Sequence, residues 1–429
     1  MVGYSLHSSP ETSGDQQQRR PLVPELLKPI PYLLYGGQPV RLTTGHSNDL
    51  DAREATAQAI QQCRAELGDE QPVAGLIFAG VGYEHAQILA AVQTAWPQLP
   101  IVGCSTDGEF SSAGGYHDDS VLLALLSGTG IRAQVGVGTK LSAGVDKAVA
   151  SALEQAMAGQ TEAPAVCITT PESMTANCTD IVDSLRERLK EQRCPIVGGV
   201  SGDHREYRVT YQFAGGQVFS DAIPVLLLWG DITVSCGVAS GWKAVGPSHT
   251  ITHAEGNVVY KIDNKTALDL FADYWGDARK FESLGEFPLA VFPDPSRPDD
   301  FFLRAVFGLD KEAGSATFAA TVPNGAQVRL TQVLREGILK GSALAMAQAE
   351  DNLGEAKPFG ALVFSCAARK WLLGTQVAEE SATLHDARSK GRFPIVGFYA
   401  FGEIAPLSSE GVPFFHNETC VAVIFGSRN

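Results

Sequence analysis

The tetrapeptide Pro-Ile-Val-Gly occurs three times in this chain of 429 residues, at residues 100–103, 195–198 and 394–397. Each copy follows a polar stretch of helical character, and an acid stands a few residues beyond it. These acids are Glu109, Asp203 and Glu403. A chain that repeats one turn into a strand three times is constrained to a fold made of copies of one unit.

A short apolar run begins about 30 residues before each proline, which is the length that a strand, a helix and a returning strand require. The three runs lie at residues 73–80, 165–170 and 361–366. Helical stretches lie between each run and its proline, the third of them reaching His385. Each copy therefore predicts one βαβ unit, in which the proline opens the returning strand and the glycine ends that strand or lets it bend.

Further strand-like runs follow the three units. They lie at residues 120–128, 222–230 and 418–426. The stretch 207–240 alternates polar and apolar residues around Gly215 and Gly216, which is typical of a hairpin or meander. The sequence thus predicts an α/β fold of mixed β-sheets with helices outside, built from repeated βαβ-plus-hairpin units in two similar halves.

The length of the chain is typical of two or three domains. We predict a disordered tail over residues 1–24, because this segment is polar and rich in turn-forming residues. One domain is predicted over residues 25–250 and a second over residues 251–429.

The second half carries less regular signals. Residues 241–276 predict a hairpin followed by a helix over 267–275. Residues 289–332 predict strands that could belong to a degraded fourth copy of the unit. The stretch after them predicts a helix pair broken at Gly341.

Charge and composition exclude several function classes. The formal net charge is −15 and the chain has no Lys- or Arg-rich run, which argues against nucleic acid as a partner. Nowhere do about 18 apolar residues follow one another, so no membrane insertion is predicted. The N-terminus lacks the apolar segment of a signal peptide. Eight cysteines without a C-x-x-C pair fit reduced, buried thiols in a cytoplasmic protein.

The loops after the returning strands are candidate binding sites, because ligands of open sheets bind beyond the carboxyl ends of parallel strands. Glu109, Asp203 and Glu403 would then line one pocket or a repeated one. The alternative is structural, since an acid after a glycine often caps a turn or a helix. The threefold occurrence favours a shared role of either kind.

Several cysteine and histidine side chains allow two interpretations each. Cys366 precedes Arg369, a setting that can lower a thiol pKa, although a buried structural thiol also fits. His416 stands among large apolar residues, either as a hydrogen-bonded core residue or as a ligand. His249 and His253 share one face of a strand but lack a third metal ligand.

Several long strings together resemble the FIST domain proteins, which pair an N-terminal with a C-terminal FIST domain. Hallmarks of the first domain resemble "LPIVGCSTDGEFSS" and "CPIVGGVSGD", and the join resembles residues 241–276. Hallmarks of the second domain resemble "SCAARKWLLG", "FPIVGFYAFGEIAPL" and "FHNETCVAVIF". The resemblance extends from about Arg41 to the C-terminus.

The resemblance implies a cytoplasmic sensory or signal-transduction protein that binds a small molecule, and amino acids have been proposed as ligands for the family. Some bacterial members resemble haem-binding nitric-oxide sensors that regulate a histidine kinase. In eukaryotes FIST domains accompany an F-box, but residues 1–40 are too polar and proline-rich for one. With no kinase or receiver segment attached, the chain is expected to act on a separate partner, such as a histidine kinase or another signalling protein.

The motif strings and the repeated loops together supply nine candidate ligand-binding residues. They are Cys104, Thr106, Glu109, Asp203, Cys366, Arg369, Glu403, His416 and Asn417. If haem is the cofactor, its axial ligand would most simply be a histidine. The candidates are His204, His249, His253 and His416.

The leading hypothesis is a non-enzymatic sensor that binds an amino acid or a similar polar metabolite between the halves. Arg369 would pair bidentately with a ligand carboxylate, and Glu109 or Glu403 would accept from an ammonium group. The alternatives are a haem-based nitric-oxide sensor and an enzyme with Cys366 or Cys104 as nucleophile. The sequence names no base for such a thiol, and it contains no phosphate-binding, dinucleotide-binding or nucleophile-elbow motif.

Overall fold

A computed structural model describes residues 38–276, 284–297, 301–388, 391–406 and 411–428. The tail predicted over residues 1–24 lies outside these residues. Within them, no helix is both long and apolar enough to cross a membrane.

The first repeat unit occupies residues 41–127. Its elements are β1 (Arg41–Ser47), α1 (Ala52–Leu67), β2 (Ala74–Gly80), α2 (His85–Ala95), β3 (Ile101–Thr106), β4 (Glu109–Ser111), β5 (Gly115–His117) and β6 (Val121–Ser127). The Asp51 side chain starts α1 by accepting from the N–H groups of Arg53 and Glu54. The helix ends at Gly68, which has a φ of 62° that a glycine adopts at no steric cost.

The second unit, residues 132–229, repeats this order of elements. They are β7 (Arg132–Thr139), α3 (Val145–Ala156), β8 (Val166–Thr169), α4 (Cys178–Leu189), β9 (Ile196–Gly199), β10 (Gln212–Ala214), β11 (Gln217–Phe219) and β12 (Ala222–Trp229). Asn177 caps α4 by accepting from the N–H of Thr179. The two units therefore share one plan: an outer strand, a helix, a βαβ crossover, a hairpin and a last strand.

The third unit begins with β13 (Thr233–Ala239) and is then interrupted by an insert. The insert holds β14 (Lys243–Glu255), β15 (Val258–Ile262), β16 (Lys265–Thr266), α5 (Ala267–Trp275), β17 (Leu284–Phe292), β18 (Phe302–Asp310), β19 (Ser315–Phe318) and β20 (Gln327–Gln332). The unit continues with α6 (Arg335–Asn352), β21 (Lys357–Cys366), α7 (Ala367–Leu373), α8 (Val377–Asp386), β22 (Ile395–Ala400), β23 (Glu403–Pro406), β24 (Pro413–His416) and β25 (Cys420–Ser427). Two units thus lie in the first half of the chain, and the enlarged third unit fills the second half.

The three predicted crossovers are present as parallel strand pairs. These are β2 with β3, β8 with β9, and β21 with β22. Each returning strand begins at the isoleucine that follows the proline of the repeated tetrapeptide. The last strand of each unit then lies antiparallel to the first strand of the pair. The α/β fold with mixed sheets and repeated βαβ-plus-hairpin units is confirmed.

Each six-stranded sheet is completed by a hairpin from another unit. The hairpin β4–β5 of the first unit pairs with β22 of the third unit. The hairpin β10–β11 of the second unit pairs with β3 of the first, and β23–β24 of the third pairs with β9 of the second. This cyclic exchange ties the three units to one another and brings their hairpin loops together.

Equivalent backbone hydrogen bonds join the three loops that follow the returning strands. The N–H of Asp107 donates to the Tyr399 carbonyl oxygen (3.0 Å). The N–H of Gly202 donates to the carbonyl oxygen of Ser105 (2.9 Å), and that of Phe401 to that of Val200 (3.4 Å). In every case the donor lies four residues, and the acceptor two residues, after the glycine of the repeat. The loops therefore meet, as the copied unit led us to expect.

The three sheets share one apolar core, and the helices cover their other faces. Alternate residues of every sheet enter the shared core, where the ring of Phe398 lies 4.5 Å from that of Phe78 and 5.5 Å from that of Phe364. The intervening residues pack against helices instead, as Ile77 and Leu123 do beneath α1 and α2. This alternation follows from the period of two in a strand and places the helices outside.

The glycine of each tetrapeptide lies inside its strand and does not end it, contrary to the first of the two predicted roles. Gly103, Gly198 and Gly397 lie inside β3, β9 and β22. At Gly103 the two parallel strands approach so closely that a Cβ would lie 1.7 Å from the carbonyl oxygen of Ile77. The corresponding distances at Gly198 and Gly397 are 1.9 Å and 2.4 Å. The position excludes any side chain, which explains why glycine recurs there.

The insert is an antiparallel sheet closed on itself, because β14 pairs with both β20 and β15. The interpretation of this region as a degraded fourth copy is wrong, since the described strands make no parallel pair there. Helix α5 has the predicted bounds. The predicted break at Gly341 is absent, because α6 continues through this residue. A Cβ at Gly341 would lie 2.8 Å from the backbone of Ser240, which explains the glycine.

Candidate functional site

A pocket that we call the aromatic pocket lies where the third unit meets a loop of the second unit and strand β18 of the insert. The cavity between its walls is small, about 30 Å³. Its lining residues are Tyr207, Ala305, Val306, Phe307, Cys366, Ala367, Ala368, Trp371, Phe401, Asn417 and Glu418. Two predicted site residues, Cys366 and Asn417, lie side by side in this lining.

Four aromatic rings from separate parts of the chain form the walls. The ring of Tyr207 lies 5.4 Å from that of Phe401 and 5.6 Å from that of Phe307. Trp371 on α7 contacts Phe401 at 6.4 Å, and the Arg205 guanidinium stands 3.4 Å above the Trp371 ring. Sequence reasoning missed all four rings, because only tertiary structure brings residues of three different segments together.

The loop that carries Tyr207 has a strained backbone. His204, Arg205 and Tyr207 have φ values of 58°, 64° and 50°, in the left-handed region that non-glycine residues seldom adopt. Asp203 holds the loop by accepting from the N–H groups of Tyr207, Arg208 and Val209. Strain of this kind persists only where surrounding contacts enforce it, and it concentrates at functional sites.

Asp203 lies in a loop, so it does not occupy the sheet position that Glu109 and Glu403 share. Each of these two glutamates lies in a hairpin strand, opposite the residue that follows a repeat glycine. Glu109 pairs with Phe398, and Glu403 pairs with Gly199. The residue of the second unit in this register is Gln212, which pairs with Cys104. The prediction of three equivalent acids is wrong, because the second unit inserts a longer loop before its hairpin.

The floor of the pocket is polar. Asn417 is 1% exposed, and neither its Oδ1 nor its Nδ2 has a hydrogen-bond partner among the described residues. The next residue, Glu418, is fully buried and has a φ of 59°. A buried amide with two unmet hydrogen-bonding atoms is unfavourable in the absence of a partner. The site thus combines apolar walls with a buried amide whose hydrogen-bonding atoms are unpaired among the described residues.

Cys366 ends β21 and contributes its thiol to the same floor. Burial raises the pKa of this thiol well above its ordinary value, and the nearby carboxyl groups of Glu403 and Glu418 raise the pKa further. The proposal that Arg369 lowers this pKa is wrong, because the guanidinium is directed elsewhere. Cys104 is fully buried, and burial raises its pKa as well. Both thiols are therefore protonated near neutral pH.

Arg369 is not available to a ligand. Its side chain is fully buried and pairs with Glu380 at 2.7 Å. Its Nε also donates to Ser365, and its Nη2 donates to Ser342 at 2.6 Å. Its Nη1 donates to the carbonyl oxygen of Ser240. The predicted bidentate contact with a ligand carboxylate is wrong, since every nitrogen of the guanidinium has an internal partner.

Thr106 and Glu109 belong to a second, fully buried polar cluster. The Thr106 hydroxyl bonds to Oε1 of Glu109, and the Ser120 hydroxyl donates to Oε2 at 2.6 Å. His46 adjoins Ser120 at 2.8 Å, and burial lowers the pKa of its imidazole to about 3. None of these residues lines the aromatic pocket. The structure therefore separates Thr106 and Glu109 from Cys366 and Asn417.

Burial raises the pKa of Glu109 and of Glu403, each to about 8. In the unfolded chain both carboxyls titrate near 4.5, so between pH 4.5 and 8 the folded chain binds more protons than the unfolded one. Stability must then fall as the pH rises through this window, by up to about 1.4 kcal/mol per pH unit and group. Gln212, the neutral equivalent in the second unit, has no such titration.

We predict that Glu109→Gln gains stability relative to the parent protein as the pH rises. The difference in free energy of unfolding should increase by about 3–4 kcal/mol between pH 5 and pH 8, because the variant has no proton to lose. Urea unfolding at a series of pH values measures it. The reverse change Gln212→Glu should add a new decline with pH, and equal slopes in all three proteins would contradict the prediction.

The histidines proposed as haem ligands lie outside the aromatic pocket, and haem binding stays a prediction. A haem ligand needs a free imidazole nitrogen facing an apolar pocket. The four rings contact protein groups: His204 with Asp119, His249 with Asp263 and Tyr274, His253 with Tyr260, and His416 with the carbonyl oxygen of Ala405. None of the four lines the aromatic pocket. The described residues also contain no cluster of three metal-ligating side chains.

Comparison with known protein families agrees with the motif strings. A model of the FIST N domain matches residues 73–265, and a model of the FIST C domain matches residues 267–406. The chain belongs to the FIST family. FIST domains are associated with sensing in signal transduction. The domain boundary near residue 250 stays a prediction.

Similar proteins occur in bacteria and archaea. An uncharacterized protein of Mycobacterium tuberculosis is 23% identical over 398 residues, which cover 90% of this FIST chain and 100% of the relative. An uncharacterized protein of Methanocaldococcus jannaschii is 25% identical over 174 residues, 39% of this chain and 33% of the relative. A solved structure of a cyanuric acid hydrolase covers 90% of this chain and 99% of its own, with 9% identity and a TM-score of 0.33.

Proposed function

We propose that this FIST protein is a non-enzymatic sensor that binds a small polar metabolite in the aromatic pocket. The observation that carries the proposal is Asn417. Its amide is buried and has no hydrogen-bond partner among the described residues, and Asn417 belongs to the pocket lining. Apolar walls with a few convergent polar groups are typical of ligand sites.

The construction of the pocket supports a sensory role. Its walls come from the loop of Tyr207 in the second unit, from β18 in the insert, and from α7 in the third unit. An occupant contacts all three parts at once, and its binding energy acts on their relative arrangement. Tyr207, which is 47% exposed, stands at the rim where a partner protein could detect the change. We propose a separate signalling protein, such as a histidine kinase, as that partner.

We predict that Asn417→Leu stabilises the ligand-free protein while it abolishes the response to ligand. Removing a buried amide that lacks partners should raise the free energy of unfolding by about 1 kcal/mol. A ligand that stabilises the parent protein by mass action should leave the unfolding midpoint of the variant unchanged. Thermal unfolding of both proteins, with and without a panel of amino acids and polar metabolites, measures the two effects.

The matched control is Asn264→Leu, which makes the same change at an exposed turn. It should leave both the stability and the ligand response as they are. A destabilised Asn417→Leu would show that the amide has a structural role in the ligand-free protein. A panel in which no metabolite shifts the midpoint of the parent protein would remove the support for a ligand site.

A further inference from the structure

The aromatic pocket restricts the kind of molecule that it can bind, and the ligand class inferred from it rests on the proposed sensor function. Asn417 offers a donor, Nδ2, beside an acceptor, Oδ1, and both lack partners among the described residues. Such an edge is complementary to a group in which an acceptor stands beside a donor. Amides and ring lactams, with C=O next to N–H, have this pattern.

The charge of the lining is one-sided. Glu418 brings a carboxyl group, and none of the described residues that line the pocket is Lys or Arg. Arg205, which lies over the Trp371 ring, is exposed to solvent and outside the lining. A buried anion without a counter-charge is strongly unfavourable. The lining therefore disfavours carboxylates and phosphates and leaves neutral ligands as the better match.

The walls favour a flat ligand. Phe307, Trp371 and Phe401 present ring faces and edges, against which another ring packs in offset-stacked or edge-to-face geometry. The Arg205 guanidinium lies 3.4 Å over the Trp371 ring, a cation–π contact that stabilises the indole. The cavity of about 30 Å³ between the walls limits the ligand to a small one.

We propose that the aromatic pocket binds a neutral, flat ring that carries an amide-type edge, and that Asn417 pairs with this edge through two hydrogen bonds. The ring packs against Trp371 and Phe401. Asn417 is thus the residue that selects the ligand, and the aromatic rings contribute most of the buried apolar contact.

Two matched pairs of probes test this assignment on the full chain. Nicotinamide and uracil have the edge, whereas N,N-dimethylnicotinamide and 1,3-dimethyluracil have the same rings without the N–H donors. Isothermal titration calorimetry should show that nicotinamide or uracil binds about tenfold or more tightly than its methylated counterpart. The methylated ring has no N–H to donate, so it leaves Oδ1 of Asn417 unpaired. Nicotinate, which replaces the amide by a carboxylate, should bind at least as weakly as the dimethyl compound.

The variant Asn417→Leu decides whether the amide causes the preference. It should bind both members of a pair equally, while Asn264→Leu keeps the tenfold difference. A preference that survives in Asn417→Leu, or nicotinate binding as tightly as nicotinamide, would overturn the assignment. If amino acids bind but neither nicotinamide nor uracil does, this inference is wrong and the proposed sensor function stands. If nothing binds and Asn417→Leu is destabilised, both are wrong.

Discussion

Replacing Arg369 with alanine is expected to lower the free energy of unfolding by about 3–5 kcal/mol, which is the usual effect of removing one partner from a buried ion pair. The change leaves the carboxylate of Glu380 uncompensated in a site with no solvent exposure. Burial alone would raise the pKa of Glu380, and Arg369, with the hydroxyl donors of Ser342 and Tyr399, holds it below its ordinary value. Urea unfolding at pH 7 measures the loss.

A surface ion pair provides the control for Arg369→Ala. Lys340 and Glu336 pair on α6 with 74% of each side chain exposed, so Lys340→Ala should change stability by less than about 0.5 kcal/mol. If Arg369→Ala instead keeps the stability of the parent protein and loses ligand binding, the guanidinium contacts ligand after all. The two interpretations of this arginine thus predict opposite pairs of results.

The repeat unit could be predicted from the sequence because its signals are local. The isoleucine after each proline starts a strand, and apolar residues at helical spacing form the crossover helices. The bounds of α5 follow from the residues at its two ends. Thr266 caps the start, because its side chain accepts from the N–H of Asp269, and Gly276 follows the last turn. Signals of this kind act over a few residues, which is why they need no knowledge of the fold.

Pairings between distant residues could not be predicted in this way. The exchange of hairpins places Glu109 beside Phe398, almost 300 residues further along the chain. It also makes Gln212, rather than Asp203, the equivalent of the two acids. The second unit has a longer loop before its hairpin, and Asp203 lies in that loop. Only the sheet register shows that Gln212 takes the strand position that the acids occupy in the other units.

The candidate site was predicted in part for the same reason. Cys366 and Asn417 were selected from motif strings, and strands β21 and β25 place them together in the pocket. Arg369 was selected from the same string as Cys366, but its partner Glu380 lies eleven residues later on another helix. A functional interaction predicted from neighbouring residues is wrong where a helix directs their side chains to different parts of the structure.

The repeat glycine itself leads to the last prediction. Gly103→Ala should cost at least about 3 kcal/mol of unfolding free energy, because its Cβ would overlap the backbone oxygen of Ile77 and no side-chain rotation can relieve that contact. The matched control is Gly308→Ala in strand β18, where a Cβ would meet only Thr317 at 3.8 Å and the change should be neutral or slightly stabilising. Urea unfolding compares the two. Equal stabilities would mean that the strands can separate locally, and the close approach of backbones would no longer explain why the tetrapeptide recurs.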